Sequence, residues 1–238
     1  MKADAIIFDK DGTLIDFDAF WVPLTVKAVE AVLIKTNMKS APMDRILEAF
    51  GISDGITSIE GVLCKGTYRQ MGEIMHAILS EYGYNGSADE LTALLINAYN
   101  ESTDAGEIKP TCTELAEALT KLKKQNKRLA VVTTDNREIT EKCLKALGIA
   151  ELFDRIYTDG QGIPTKPDPY CVFDFCSSCG VERERVVMVG DTMTDVKFAK
   201  NAGIFVIGVA KAESTKAILL GEADTVISKI SELCELIE

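Results

Sequence analysis

Asp9 and Asp11 stand one residue apart in "FDKDGTL", after the apolar run "AIIF" and immediately before Gly12. Two carboxylates that close repel each other unless positive charge lies between them, so the stretch reads either as a solvated turn or as a cation site. Other chemistry-bearing residues follow apolar runs in the same way: Thr133 and Thr134 after "RLAVV", Asp191 after "VVMVG", and Asp195 four residues further on. If those runs are neighbouring strands, the carboxylates converge at one sheet edge. Such a cluster calls for a divalent cation, and an all-oxygen donor set with no nearby histidine or thiol favours a hard ion such as Mg2+. Lys166, in "TKPDP", can bring positive charge from the opposite side.

A cation, a lysine, hydroxyls and exposed turn amides together make a site for a phosphoryl group, whose oxygens need neutralising as it is transferred. One carboxylate beside that group can attack phosphorus to give an aspartyl phosphate. A second, two residues on, can protonate the leaving oxygen and then take a proton from water. Gly12 lets the backbone pass where a side chain would clash.

The elements that must position these residues alternate between short apolar runs and helical patterns. Strands are expected at 5 to 8, 128 to 132, 155 to 158, 186 to 189, 205 to 209 and 225 to 227, the form of an α/β fold with a doubly wound parallel sheet. Between them, "TCTELAEALTKLKKQNK" opens with a capping-box pattern from Thr111 to Glu114, and "REITEKCLKALG" stops at Gly148. "TKPDP" places Asp168 as an N-cap and Pro169 at the first helical position, and "TDVKFAKNAG" ends at Gly203. Strand-to-helix turns of this kind lie at the carboxyl edge, where open α/β sheets bind their ligands. Residues 17 to 104 carry helical periodicity and no strand pattern, so they are expected to be an inserted helical domain, with 1–16 and 105–238 forming the core. The polar "NESTDAGEIKP" closes the insertion as a linker.

Across its 238 residues the chain is 47% apolar and 26% charged, the composition of an ordinary globular protein. Its net charge of −11, with no basic stripe, argues against a nucleic-acid partner. "MKADAIIFD" reaches an acid after four apolar residues, too few for a secretory signal, and no stretch approaches the ~18 needed to span a bilayer. A cytoplasmic protein without a membrane partner, either monomer or homodimer, is the expectation. Seven scattered cysteines fit reduced thiols better than a disulfide framework.

In this order, "DKDGT" after a hydrophobic strand, "VVTTD", "TKPDP" and "VGDTMTD" resemble the four motifs of the haloacid dehalogenase superfamily, in particular its phosphoglycolate-phosphatase-like branch. The resemblance covers essentially the whole chain. It implies a Rossmann-like core with an α-helical cap, and a Mg2+-dependent phosphomonoester hydrolase acting on a small phosphorylated metabolite. Residue by residue, it implies Asp9 as nucleophile, Asp11 as general acid and base, Thr133 as phosphate ligand, and Lys166 as stabiliser of nucleophile and phosphate, with Gly12 and Thr134 beside that phosphate. Asp9, Asp191 and the backbone carbonyl of Asp11 would hold Mg2+, and Asp195 would orient the lysine or a metal-bound water. Family members often have leucine or methionine where Lys10 stands, and its side chain is expected to point away from the site. The second motif often reads threonine then asparagine, whereas here Thr133 is followed by Thr134 and Asp135.

Other readings compete. A phosphosugar mutase of the same fold would return the phosphoryl group to substrate instead of water. Dehalogenation and phosphonate hydrolysis are disfavoured by the second aspartate, Asp11. A signalling receiver also gathers aspartates, a threonine and a lysine, but such modules are about half this length and carry their acceptor aspartate after a central strand. "CSSC", Cys176 to Cys179, lacks a second CxxC and reads as structural cysteine. His76 reads as a packed or exposed helix residue, and Phe17, Phe20 and Trp21 as packing or as a substrate-entrance lining. "CKGTYRQ" is a basic loop whose Lys65 and Arg69 either meet a second anionic group or are simply solvated.

Overall fold

Ala5–Phe8 form β1, and all four residues are buried. The run shows no polar alternation because a parallel strand in mid-sheet is covered on both faces. The computed structural model describes residues 1–237, with Ser214 described through its backbone only. It divides into two compact units, one of Met1–Asp16 with Ile108–Glu238 and the other of Phe17–Glu107.

The second unit contains α1 (Phe17–Lys35), α2 (Met43–Phe50), β2 (Ile52–Ser53), β3 (Ile56–Thr57), α3 (Val62–Lys65), α4 (Tyr68–Ser80) and α5 (Ala88–Glu101). Thr67 and Gln70 form a capping box at the start of α4, and the Ser87 hydroxyl accepts from Glu90 N–H at the start of α5. The expectation of no strand here is corrected by the small antiparallel hairpin of β2 and β3. Asp54 and Gly55 both adopt positive φ at its turn, the pairing that a two-residue hairpin requires. The Asp18 carboxylate fastens it by accepting from Thr57 N–H at 3.0 Å and Thr57 Oγ1 at 2.6 Å. Pro23 lies inside α1 and has no N–H to offer the Ala19 carbonyl one turn earlier. Glu107 N–H fills that acceptor at 3.0 Å, which is why this unit runs on to Glu107 where the linker composition placed its end at 104.

The first unit continues with α6 (Leu115–Lys124), β4 (Arg128–Asn136), α7 (Arg137–Ala146), β5 (Arg155–Asp159), α8 (Tyr170–Cys179) and β6 (Val186–Gly190). It ends with α9 (Met193–Ala202), β7 (Phe205–Val209), α10 (Glu213–Leu219), β8 (Thr225–Ile227) and α11 (Leu233–Leu236). The six core strands form one parallel sheet in the order β5-β4-β1-β6-β7-β8. Alternate residues Ala5, Ile7, Ala130, Val132 and Met188 share a buried cluster with Phe175 of α8 and Phe198 of α9, as the two-residue repeat of a pleated strand requires. The chain winds outward from β1 through β4 to β5, then returns to the other side of β1 for β6, β7 and β8. That reversal leaves a crevice at the carboxyl ends of β1 and β6.

Two helix starts differ from expectation. Thr111 does not cap α6; its hydroxyl donates to the Thr13 carbonyl at 2.6 Å, and Glu114 occupies the N-cap without a side-chain cap. The α8 N-cap is Pro169, and the Asp168 carboxylate accepts from Tyr170 N–H at 2.9 Å. The chain's exit to the helical unit and its return run side by side within the first unit. Asp16 N–H donates to Lys109 O at 2.9 Å, and Thr111 N–H donates to Leu14 O at 3.1 Å. Among the described residues, no helix is long and apolar enough to cross a membrane.

Candidate active site

Asp9 follows β1 directly and Asp191 follows β6, so the strand reversal brings both to the same crevice. Asp9 N–H donates to Val189 O at 2.9 Å, tying the first acid to the neighbouring strand. From the segment before α8, the Lys166 ammonium donates to Asp9 Oδ1 and to Asp195 Oδ1, both at 2.6 Å. All three side chains are buried. Asp195 belongs to the first turn of α9, where its Oδ2 accepts from Thr192 N–H at 3.0 Å and Thr192 Oγ1 at 2.7 Å in a capping box. Gly190 makes room for it, since a Cβ there would lie 2.4 Å from Asp195 Cγ. The Thr13 hydroxyl orients Asp191 by donating to its Oδ1 at 3.0 Å. One oxygen from each of Asp9, Asp191 and Asp195 lies within 4.8 Å of the others.

Asp11 belongs to a second charge cluster. The Lys10 ammonium lies 2.7 Å from Asp11 Oδ1 and 2.9 Å from Asp135 Oδ2, and the Lys10 side chain is wholly buried. The Lys10 side chain, expected to point away from the site, is turned inward onto these two carboxylates. Each acid of "DKDGT" has its own lysine, Lys166 for Asp9 and Lys10 for Asp11, and each lysine is shared with a further aspartate. Asp135 is held by the turn at the end of β4. Its N–H donates to Thr133 Oγ1 at 3.1 Å, and its own Oδ1 accepts from Asn136 N–H at 2.7 Å. The pairing register of β4 with β5 shifts between Val132 and Asn136, an irregularity that re-aims side chains. Within it Thr133 is buried and Thr134 exposed.

Burial pushes the Asp9 carboxyl up to about 7, with the Lys166 charge opposing and the Asp195 and Asp11 charges assisting. Burial also raises Asp191 well above the ordinary carboxylate range, and the neighbouring Asp9 and Asp195 charges add to it. For Lys166, burial works against the ammonium, but the charges of Asp195 and Asp9 outweigh it and hold its pKa above the ordinary lysine value. Burial raises Asp135 too, against the Lys10 charge and with that of Asp11. Counted as ionised, the five aspartates outnumber the two lysines by three charges. An oxygen-only set with that excess suits a hard divalent cation and suits no soft metal.

Gly12 adopts φ +79°, and a Cβ on it would lie 2.1 Å from Asp191 Oδ2. Gly12→Ala combines left-handed strain, about 1–2 kcal/mol for an L-residue, with displacement of that carboxylate. On the reading that Asp191 helps to hold a divalent cation, the expected outcome is at least a roughly tenfold rise in the cation concentration needed for half-maximal activity, the equivalent of ~1.4 kcal/mol lost from that site. Titration of activity with MgCl2 measures it.

Elsewhere, the residues singled out in the helical unit behave as packing and surface groups. Phe20 is fully buried, with Trp21 edge-on at 5.3 Å between ring centroids and Phe17 tilted 31° to Trp21 at 6.1 Å. His76 Nε2 is 3.1 Å from Gly86 O. Lys65 is paired with Glu60, and Arg69 with Glu73 at 3.1 Å. In the first unit, Cys176 and Cys179 are unbridged thiols of α8. Thr13, Thr192, Lys10 and Asp135 were not predicted as site residues. Thr13 and Thr192 each adjoin a predicted site residue in sequence, Gly12 and Asp191, whereas Lys10 and Asp135 gave no signal beyond their departure from the common motif.

A parallel sheet that gathers buried aspartates and a lysine at its reversal point defines the class, and the chain belongs to the haloacid dehalogenase-like hydrolase family, which matches residues 3–203. It is similar to a phosphoglycolate phosphatase of Neisseria meningitidis, at 28% identity over 97% of this chain and 92% of the relative. It is also similar to the pyrophosphatase PpaX of Bacillus velezensis, at 29% identity over 99% of this chain and 96% of the relative. Among solved structures, a Clostridium difficile protein proposed to be a phosphatase shares the fold with a TM-score of 0.73 at 20% identity, over 99% of each chain.

Proposed function

We propose that this protein is a Mg2+-dependent phosphomonoester hydrolase that acts on a small phosphorylated metabolite through an aspartyl phosphate on Asp9. The observation that carries the reading is the Lys166 ammonium, 2.6 Å from both Asp9 and Asp195 in a buried cluster that also contains Asp191. Lys166 holds Asp9 in one orientation and supplies positive charge where the phosphoryl oxygens must lie. Asp9 attacks phosphorus while the bond to the leaving oxygen breaks, and Asp11 gives that oxygen its proton. Asp11 then takes a proton from the water that attacks the aspartyl phosphate, releasing inorganic phosphate and restoring both acids. Thr133 and the turn at Gly12 are assigned to the phosphoryl oxygens, with Thr134 beside them. Asp9, Asp191 and the Asp11 carbonyl would hold the dication, which would supply positive charge to neutralise the transferring group. Asp195 keeps Lys166 in place. The inserted helical unit is assigned the choice of substrate.

The relatives named for phosphoglycolate and pyrophosphate phosphatase activity support a small anionic substrate of this kind. Turnover of a panel of phosphorylated acids, sugars and pyrophosphate, ranked by kcat/KM with and without MgCl2, tests the reading. One equivalent of inorganic phosphate per substrate consumed is expected, with activity abolished by EDTA and restored by Mg2+. Isomerised sugar phosphate without phosphate release would make the protein a mutase instead, and activity indifferent to EDTA would sink the metal assignment.

A further inference from the structure

Lys10 is the feature that the mechanism above leaves unused. Its side chain is fully buried, and an ammonium in that position is tolerated only where carboxylates surround it. Two do so. Asp11 Oδ1 lies at 2.7 Å and Asp135 Oδ2 at 2.9 Å. Asp135 is itself anchored, since its N–H donates to Thr133 Oγ1 and its Oδ1 accepts from Asn136 N–H. A continuous path of polar contacts therefore runs from the end of β4, through Asp135 and Lys10, to the carboxylate two residues beyond Asp9. A short carboxylate side chain otherwise has rotamer freedom, and proton transfer requires it to be within hydrogen-bond reach of the leaving oxygen.

We propose that Lys10 is a positioning residue which, braced by Asp135, holds the Asp11 carboxyl in place for proton transfer. This rests on Asp11 being the proton carrier of the proposed reaction. In the step concerned, the Asp9 oxygen–phosphorus bond forms, the bond from phosphorus to the leaving oxygen breaks with its electron pair going to that oxygen, and the Asp11 proton ends on it. A misplaced Asp11 therefore harms substrates in proportion to how badly their leaving group needs the proton. An alkoxide needs it; 4-nitrophenolate does not. Because kcat/KM covers the steps up to the first irreversible one, transfer to Asp9, comparison of the two substrates isolates the acid role from the later base role.

The test uses Lys10→Met and the double variant Lys10→Met/Asp135→Asn, assayed on an alkyl phosphate and on 4-nitrophenyl phosphate. Lys10→Met alone removes the ammonium that lies between Asp11 and Asp135, so its melting temperature is expected to fall. The double variant also removes the Asp135 charge, and its melting temperature is expected to recover. Its kcat/KM for the alkyl phosphate should nevertheless stay about 10²-fold down, at the lower end of what general acid catalysis contributes, with less than about a tenfold loss on the aryl phosphate. Equal losses on both substrates in the double variant would overturn the inference and leave Lys10 a structural residue. Asp11→Asn is the control for the underlying reading. If it leaves the alkyl-to-aryl ratio unchanged, the proton-carrier assignment fails and the role of Lys10 falls with it. If Asp11→Asn shifts the ratio and the double variant does not, only Lys10 is excluded.

Discussion

Asp9→Asn is expected to lower kcat by roughly 10⁴-fold or more, the scale seen when a covalent nucleophile is removed, while leaving the fold intact. The amide matches the carboxylate in shape and can still accept from Lys166, so the parallel sheet and the α9 cap lose nothing. Metal-free stability should move the other way. The Asp9 carboxyl is held up to about 7 in the folded protein, against an ordinary aspartate value near 4. Between those values the folded state retains a proton that the unfolded chain has released. Stability therefore falls as pH rises through that window, and above it the folded state carries the full cost of the charge. Asparagine has no such charge to bury. Thermal unfolding in EDTA at pH 8 should show Asp9→Asn at or above the wild-type melting temperature, with the difference vanishing toward pH 4. A variant that is folded and still turns over substrate at a substantial rate removes Asp9 from the nucleophile's role.

Lys166→Met is expected to have the second largest effect, and in the opposite direction on stability. Its ammonium is shared by Asp9 and Asp195, and deleting one partner of a buried ion pair costs about 3–5 kcal/mol. The pKa of Lys166 is raised on folding, so its contribution is fully present below the ordinary lysine value and is lost only as pH rises through the higher folded one. It is therefore intact across the neutral range, and Lys166→Met should be destabilised there throughout. The loss should be larger at pH 8 than at pH 5.5, because at acid pH the Asp9 carboxyl holds a proton and does not repel its neighbours. Added MgCl2 should recover part of the pH 8 loss by supplying the missing positive charge. Activity should fall about 10³-fold, an estimate from the loss of one electrostatic stabiliser of the transferring group. Melting curves at the two pH values, with and without MgCl2, measure the stability prediction; equal melting temperatures for wild type and variant at pH 8 would show that the Lys166 contacts carry no stability.

Much of the core could be read from the residues because its physics is local. β1 and β6 are runs with no polar member, and their positions alone put Asp9 and Asp191 at strand ends. Lys10 shows where that reading stops. A lysine in sequence looks like a surface residue, because lysine is seldom buried. Its burial depends on Asp135, which is distant in sequence and becomes its neighbour only when β1 and β4 pair. The same holds for Thr111. Its spacing to Glu114 satisfied a local capping rule, but the hydroxyl is used instead by Thr13, a contact made by the pairing of distant segments. The hairpin of β2 and β3 was missed for a different reason. Strands of two residues are too short to show alternation, although Asp54-Gly55 carried the turn signal. The start of α8 lies one residue later than the pattern placed it, with Pro169 at the N-cap in place of Asp168 and Tyr170 as the first helical residue.

The side-by-side course of the linkers bears on how the core assembles. Ala5 must find Arg128 to begin pairing β1 with β4, with the whole helical unit lying between them in sequence. For an unfolded chain that is a long loop to close, with an entropic cost that grows with its length. The helical unit, however, ties its own two ends together through Glu107 N–H and Ala19 O, and the core clasps the adjoining segments through Asp16 N–H and Lys109 O. Once the helical unit has folded, the two core segments emerge from it already close together. The effective contact order of the core is then that of a chain with a short turn in place of the insertion. The insertion thus changes from an obstacle to core folding into a staple for it, provided that it folds first.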